Sequence, residues 1–156
     1  MRAAADDRSF GPESAAYLRG ASDRNLARVD SCRLHSLPGT PGFELKDAVT
    51  GGADLRIVKT VHSSFHGDVD LDAWLRERGI GAIAVCGIQT NACCETTARI
   101  GCDPGYDVWF VLDATHTFDD VAPDGEVVPA AEIARMTGIN LQDEFAEVVT
   151  TAAACT

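Results

Sequence analysis

The feature that most constrains this chain is the passage from Ala82 to Arg99. The apolar run Ala82–Cys86 reads as a buried strand of a parallel sheet, since no polar residue alternates with its apolar ones. It breaks at Gly87 into a short polar turn, Ile88-Gln89-Thr90-Asn91-Ala92, and a helical pattern begins near Cys93. A strand, a tight turn and a helix in that order demand an α/β architecture. They also place Cys93 where the first free backbone N–H groups of a helix point and where the helix dipole favours negative charge. A thiol there is expected to act as a nucleophile. The alternative is a small buried helix residue, because free cysteine is commonly buried.

Other segments alternate in the same way, as a parallel sheet with crossover helices requires. Strands are expected at Cys32–Ser36, Leu55–Lys59, Ala82–Cys86, Tyr106–Leu112 and Glu147–Thr151. Helices are expected at Leu71–Arg78, ending before Gly79, at Cys93–Cys102, and at Pro129–Met136 with a weaker continuation to Phe145. Ser14–Val29 reads as a helix interrupted at Gly20, and Leu37–Gly42 as a Pro-Gly loop. No apolar strand precedes the first helix, so the first βα unit lacks its strand.

At 156 residues the chain suits one domain spanning 1–156. A formal charge of −11 argues against nucleic acid or an anionic membrane as partner. No apolar run approaches a membrane span, and Met1–Phe10 lacks the apolar core of a signal peptide, so a cytoplasmic address is expected. The six cysteines are then expected to remain thiols, and no C-x-x-C pair supports a zinc or dithiol site. Cys94 suits core packing. Only two lysines occur, Lys46 and Lys59, and Lys59 closes an apolar strand just before Ser63-Ser64-Phe65. It either snorkels from the strand end or serves a site. His35, His62, His66 and His116 match no ligand spacing, and no metal is expected. No G-x-G-x-x-G loop is present, and no organic cofactor is expected.

Three motifs carry a resemblance that covers the chain from about Phe43 onward. They are Lys59-Thr-Val-His-Ser-Ser-Phe65, Gly87-Ile-Gln-Thr-Asn-Ala-Cys93, and Gly105-Tyr-Asp-Val108 through Asp113-Ala-Thr115. Together they resemble the isochorismatase-like (nicotinamidase-type) cysteine hydrolases. The resemblance implies a three-layer α/β/α sandwich with a mainly parallel, Rossmann-like sheet of strand order 3-2-1-4-5-6. It implies Cys93 as nucleophile and Lys59 as its lysine, with a cis peptide between Ile88 and Gln89. The N–H groups of Gln89 and Cys93 would then form an oxyanion hole. Phe65 and His116 become candidate pocket residues, and Phe65, like Trp109, reads equally as a core residue. A small-molecule amide as substrate, hydrolysed at a C–N bond, and a homo-oligomeric assembly are also implied.

The family's third catalytic residue, an Asp at the end of the first strand, has no counterpart motif here. Asp6 and Asp7 stand beside Ser9-Phe-Gly-Pro12, which resembles the loop after that motif, so the Asp would fall upstream of Met1. The domain is therefore expected to be N-terminally incomplete, with its first strand missing, and the chain as written to be a weak or inactive hydrolase. Two alternatives stand beside amide hydrolysis. One is a catalytically impaired remnant acting as a folded or binding domain. The other is an isochorismate-type vinyl-ether hydrolase, whose chemistry does not use the cysteine.

Overall fold

The structure is a computed structural model, and it describes residues 14–19, 26–33 and 52–155. Eight strands are present among these residues: β1 (Ser14–Arg19), β2 (Leu26–Arg33), β3 (Leu55–Lys59), β4 (Ala82–Ile88), β5 (Asp107–His116), β6 (Asp120–Val121), β7 (Val127–Val128) and β8 (Glu147–Val149). The helices are α1 (Leu71–Glu77), α2 (Glu95–Cys102), α3 (Ala130–Leu141) and α4 (Thr151–Ala154). Six strands form one sheet in the order β3-β2-β1-β4-β5-β8, and β6 and β7 form a separate hairpin. β2–β3, β4–β5 and β5–β8 pair parallel, while β1 runs antiparallel to both β2 and β4. The sheet is thus mainly parallel, with one reversed strand at its centre.

That central strand corrects two expectations. Ser14–Val29 does not form a helix: Ser14–Arg19 and the first half of Leu26–Arg33 lie within it, and both are strands. The place of the missing first strand is filled by β1, whose residues pair from Ala16↔Val29 on one side to Ala16↔Val85 on the other. Ser-Ala-Ala-Tyr-Leu-Arg is rich in helix formers, but local propensity is a weak prior against tertiary pairing. A gap between β2 and β4 would leave two rows of backbone donors and acceptors unpaired inside the sheet, and a strand there satisfies both. Its reversed direction follows from chain length. Residues 20–25 are too few for the crossover of a dozen or more residues that parallel pairing needs. The expected strand at Cys32–Ser36 shares only Cys32 and Arg33 with β2, and residues 34–36 lie outside the described ones, as do Met1–Pro12 and Leu37–Gly42.

The larger core lies on the sheet face covered by α1, α2 and α3. Ile57, Ile83, Val85, Val108 and Phe110 meet Leu71, Leu75, Cys94, Ala98 and Leu141 there. Burying each large apolar side chain contributes about 1.5–3 kcal/mol. On the opposite face Ala84, Cys86 and Val111 pack with Trp109, Val149 and Ala154 of α4, giving the third layer. The helix α1 is capped by Asp70, whose Oδ1 accepts from Ala73 N–H at 3.0 Å. It ends at Gly79, whose φ of 65° suits a residue without a Cβ.

At the start of β5, Tyr106 ties the sheet to α1. Its hydroxyl donates to Asp72 Oδ1 at 2.8 Å, and Arg76 Nε bonds the same carboxylate at 2.9 Å. The bonds from Arg76 and Tyr106 hold the Asp72 carboxyl below its ordinary value. Burial, and then the hydrogen bond to Asp72, push the Tyr106 phenol up to about 12. The folded chain keeps this proton at pH values where the unfolded chain has released it. Stability is therefore expected to fall as pH rises from about 10 towards 12, by at most about 2 kcal/mol. Tyr106→Phe should cost about 1 kcal/mol at neutral pH and flatten that alkaline decline. Urea midpoints of both chains at pH 8 and pH 11 check this, and an equal decline in the two would refute it.

Candidate active site

Lys59 closes β3, and the chain then loops back through a one-turn 3-10 helix at Ser64–His66. The base of this loop is clasped twice: Asp68 N–H donates to the Val58 carbonyl at 2.9 Å, and Val58 N–H donates to Asp68 Oδ1 at 2.8 Å. Gly67 completes the clasp, because a Cβ there would lie 2.1 Å from Ile57 Cγ2 and 3.2 Å from the Val58 carbonyl oxygen. Ile57 is fully buried and cannot swing aside. Gly67→Ala should accordingly cost roughly 1–3 kcal/mol, read as a lower denaturation midpoint. An unchanged midpoint would mean the loop shifts freely.

Within the loop Lys59 is 2% exposed, and its ammonium donates to the His62 carbonyl at 2.7 Å. Burying an ammonium is costly, so a lysine held in this way needs a reason beyond packing. Ser63 and Ser64 are buried as well. Ser63 Oγ caps the short helix by accepting from Phe65 N–H at 3.1 Å. Ser64 N–H donates to Thr97 Oγ1 of α2 at 3.1 Å, which fastens the lysine loop to the helix that follows Cys93.

Cys93 belongs to the link between β4 and α2. Gly87 has a φ of 117°, a conformation open to glycine, and the Ile88–Gln89 peptide is cis. Thr90–Cys94 winds as a wide π-type turn that runs into α2. The α-helix thus starts at Glu95, two residues later than expected, and Cys93 lies in the wider turn that leads into it. Ala92 and Cys94 N–H groups both donate to the Gln89 carbonyl, at 3.2 and 3.1 Å. These bonds use neither the Gln89 nor the Cys93 N–H. Cys93 is 8% exposed and Cys94 fully buried in the larger core, and neither is part of a disulfide.

The turn is also fixed from the side of β5. Thr90 Oγ1 donates to Thr115 Oγ1 at 2.9 Å, and Thr117 Oγ1 donates to Asn91 Oδ1 at 2.6 Å. Sequence reasoning passed over these threonines, because a hydroxyl pair between distant segments leaves no spacing signal. His116 stands opposite Ile88 in the β4–β5 ladder, exposed at the same sheet edge, with its ring edge-on to Phe118 at 5.1 Å. Phe65 is placed differently. Its ring lies 5.8 Å from that of Tyr106 and 3.1 Å from where a Cβ on Gly101 would stand, so this half-buried side chain packs against the larger core. Asp6 and Asp7 lie outside the described residues. Among the described residues, no group of three His, Cys, Asp or Glu side chains gathers to hold a metal ion, and no helix is long and apolar enough to cross a membrane.

The profile of the Isochorismatase domain matches residues 12–153. The chain belongs to the isochorismatase family. Family relatives include YrdC of Bacillus subtilis, 34% identical over 124 residues that cover 78% of this chain and 66% of that protein. A streptothricin hydrolase of Streptomyces noursei is 34% identical over 150 residues, 95% of this chain and 54% of the relative. Nicotinamidase 3 of Arabidopsis thaliana is 37% identical over 87 residues, 54% of this chain and 43% of that enzyme. The chain thus spans between about half and two-thirds of the length of the first two of these relatives. Among solved structures, an isochorismatase-family hydrolase from Chromobacterium violaceum superposes with a TM-score of 0.72 at 31% identity, covering 81% of this chain and 67% of its own. A cysteine hydrolase from Pseudomonas syringae gives 0.69 at 36%, covering 75% and 55%. The family is one of hydrolases, and the α/β/α architecture is that of its members.

Proposed function

We propose that this chain is a cysteine hydrolase that cleaves a C–N bond of amide type in a small molecule. The observation that carries the proposal is Cys93 itself: a nearly buried thiol in the turn before α2, with Lys59 buried in a loop bonded to the same helix. Nicotinamidase and cysteine hydrolase are among the names of its relatives, which favours amide chemistry over other bond types. In this proposal Cys93 Sγ adds to the carbonyl carbon, and the oxyanion is held by the Gln89 and Cys93 N–H groups. The C–N bond then breaks and the amine departs with the proton that the thiol gave up. Water hydrolyses the resulting thioester to the carboxylic acid. The Lys59 ammonium supplies positive charge to the site, and His116 touches the substrate at the sheet edge.

The partner implied is a small-molecule amide or related compound, and the assembly a homo-oligomer in the cytoplasm. A panel of small amides, followed by ammonia or amine release, tests the proposal. Release that depends on Cys93 supports it. Hydrolysis of isochorismate that survives loss of Cys93 would replace it with vinyl-ether chemistry. A folded chain without turnover of either class would leave the binding-domain alternative.

A further inference from the structure

The β4–β5 ladder breaks beside the candidate nucleophile. Val85 stands opposite Phe110 but Gly87 stands opposite Thr115, so β5 carries extra residues just where the cysteine turn begins. A bulge of this kind re-aims whatever follows it, and it needs something to hold it closed. Thr115 supplies that: its hydroxyl reaches back across the bulge and donates to the Leu112 carbonyl at 2.8 Å. The acceptor side of the same hydroxyl takes the hydrogen bond of Thr90 at 2.9 Å, and Thr90 is 0% exposed. The chain of bonds therefore runs from the cysteine turn, through two hydroxyls, to the backbone of β5. No water competes for the Thr90 hydroxyl, and without Thr115 it would be left unsatisfied.

We infer that Thr90 and Thr115 form a positioning clasp for Cys93. The inference rests on the proposed role of Cys93 and concerns what fixes its turn. Thr90 lies at the head of the π-type turn and Cys93 three residues later, so a shift of the Thr90 end displaces the thiol directly. Displacements of about 1 Å at a reacting group can cost on the order of 100-fold in rate. The two threonines touch no reacting atom and act through the turn.

The test is alkylation by limiting iodoacetamide of the folded chain, read by peptide mapping as the rate at Cys93 relative to the exposed Cys155. Thr90→Val keeps the shape of the side chain and removes the hydroxyl. It should lower the Cys93-to-Cys155 ratio at least tenfold. Thr90→Ser, which keeps the hydroxyl, should stay within about twofold of the unsubstituted chain. Thr115→Val, at a half-buried site, should match Thr90→Val, and the double variant should be no worse than either single one. Should Thr90→Val fail to fold, Thr115→Val with Thr115→Ser as its rescue reads the same effect. A Cys93 fast in the unsubstituted chain and equally fast in both valine variants would overturn the clasp alone. A serine variant as slow as its valine counterpart would do the same. A Cys93 that is no faster than Cys155 before any substitution would overturn the nucleophile assignment, and the clasp with it.

Discussion

Cys93→Ser should reduce whatever amide turnover the chain supports on the order of 10⁴-fold or more, while leaving the fold intact. Serine is nearly isosteric with cysteine, and Cys93 sits at the edge of the core, 8% exposed, so the urea midpoint should barely move. The rate should collapse because a serine hydroxyl is a far weaker nucleophile than a cysteine sulfur when its environment was built for sulfur. Losses of this size are typical when one member of a cooperating catalytic set is removed. The neighbouring Cys94 provides the control. It is fully buried among Val85, Ala98 and the rest of the larger core, so Cys94→Ser should lower stability instead of chemistry. The pair of variants is checked by amine release and by urea denaturation on the same preparations. Turnover that survives in Cys93→Ser would move the chemistry away from the thiol.

Lys59→Met should lower turnover by roughly 10²- to 10⁴-fold and yet leave the thermal midpoint unchanged or higher. The reasoning is the cost of burial. An ammonium 2% exposed at the end of β3 has lost nearly all of its hydration. The penalty for that is several kcal/mol before any partner repays it. Methionine keeps the length and the packing of the stem and discards the charge, and one acceptor it leaves, the His62 carbonyl at 2.7 Å, belongs to an exposed residue where water can replace the donor. A purely structural lysine would behave in the opposite way, with full activity and a lowered midpoint. The comparison therefore separates a lysine kept for the site from one kept for the fold.

Much of the framework around the candidate site was legible because its signals are local. Leu55–Lys59 ends at the residue expected, and the helix Leu71–Arg78 differs from α1 only by its capping residue. The strand beginning at Ala82 and the break at Gly87 follow from an apolar run meeting a residue that tolerates positive φ. The termini of strands were less legible. β4 continues to Ile88 and β5 to His116, beyond the apolar stretches, because ladder bonds continue where side chains no longer need burial. The helix expected from Pro129 runs from Ala130 to Leu141 and ends before Phe145. Glu147–Val149 is shorter than expected, since Thr150 caps α4 by accepting from Ala153 N–H.

What could not be read was set by distant segments. Ser14–Arg19 carries helix formers and becomes a central strand because the sheet has an open place for it. The hairpin of Asp120–Val121 and Val127–Val128 buries little and leaves Val121 and Val127 exposed, so no hydrophobic pattern announces it. The hydroxyl chain from Thr90 to the Leu112 carbonyl joins residues 22 positions apart, and periodicity says nothing about such a pair. Phe65 reads from its motif as either a pocket wall or a core residue, and its contacts with Gly101 and Tyr106 pack one side of its ring against the core.

The central claim is that Cys93 is an activated nucleophile, and limiting iodoacetamide tests it without knowledge of the substrate. The reagent is itself a small primary amide, and peptide mapping after partial reaction ranks the cysteines by rate. Among the five cysteines whose side chains are described, exposure alone would put Cys155 first and Cys102 next, with Cys86, Cys93 and Cys94 protected by burial. Activation reverses that order for one residue only: Cys93 should be alkylated first in the native chain, ahead of the exposed Cys155, and should lose this lead on unfolding. Labelling that simply follows exposure, with Cys93 reacting only once the chain is denatured, would contradict the account.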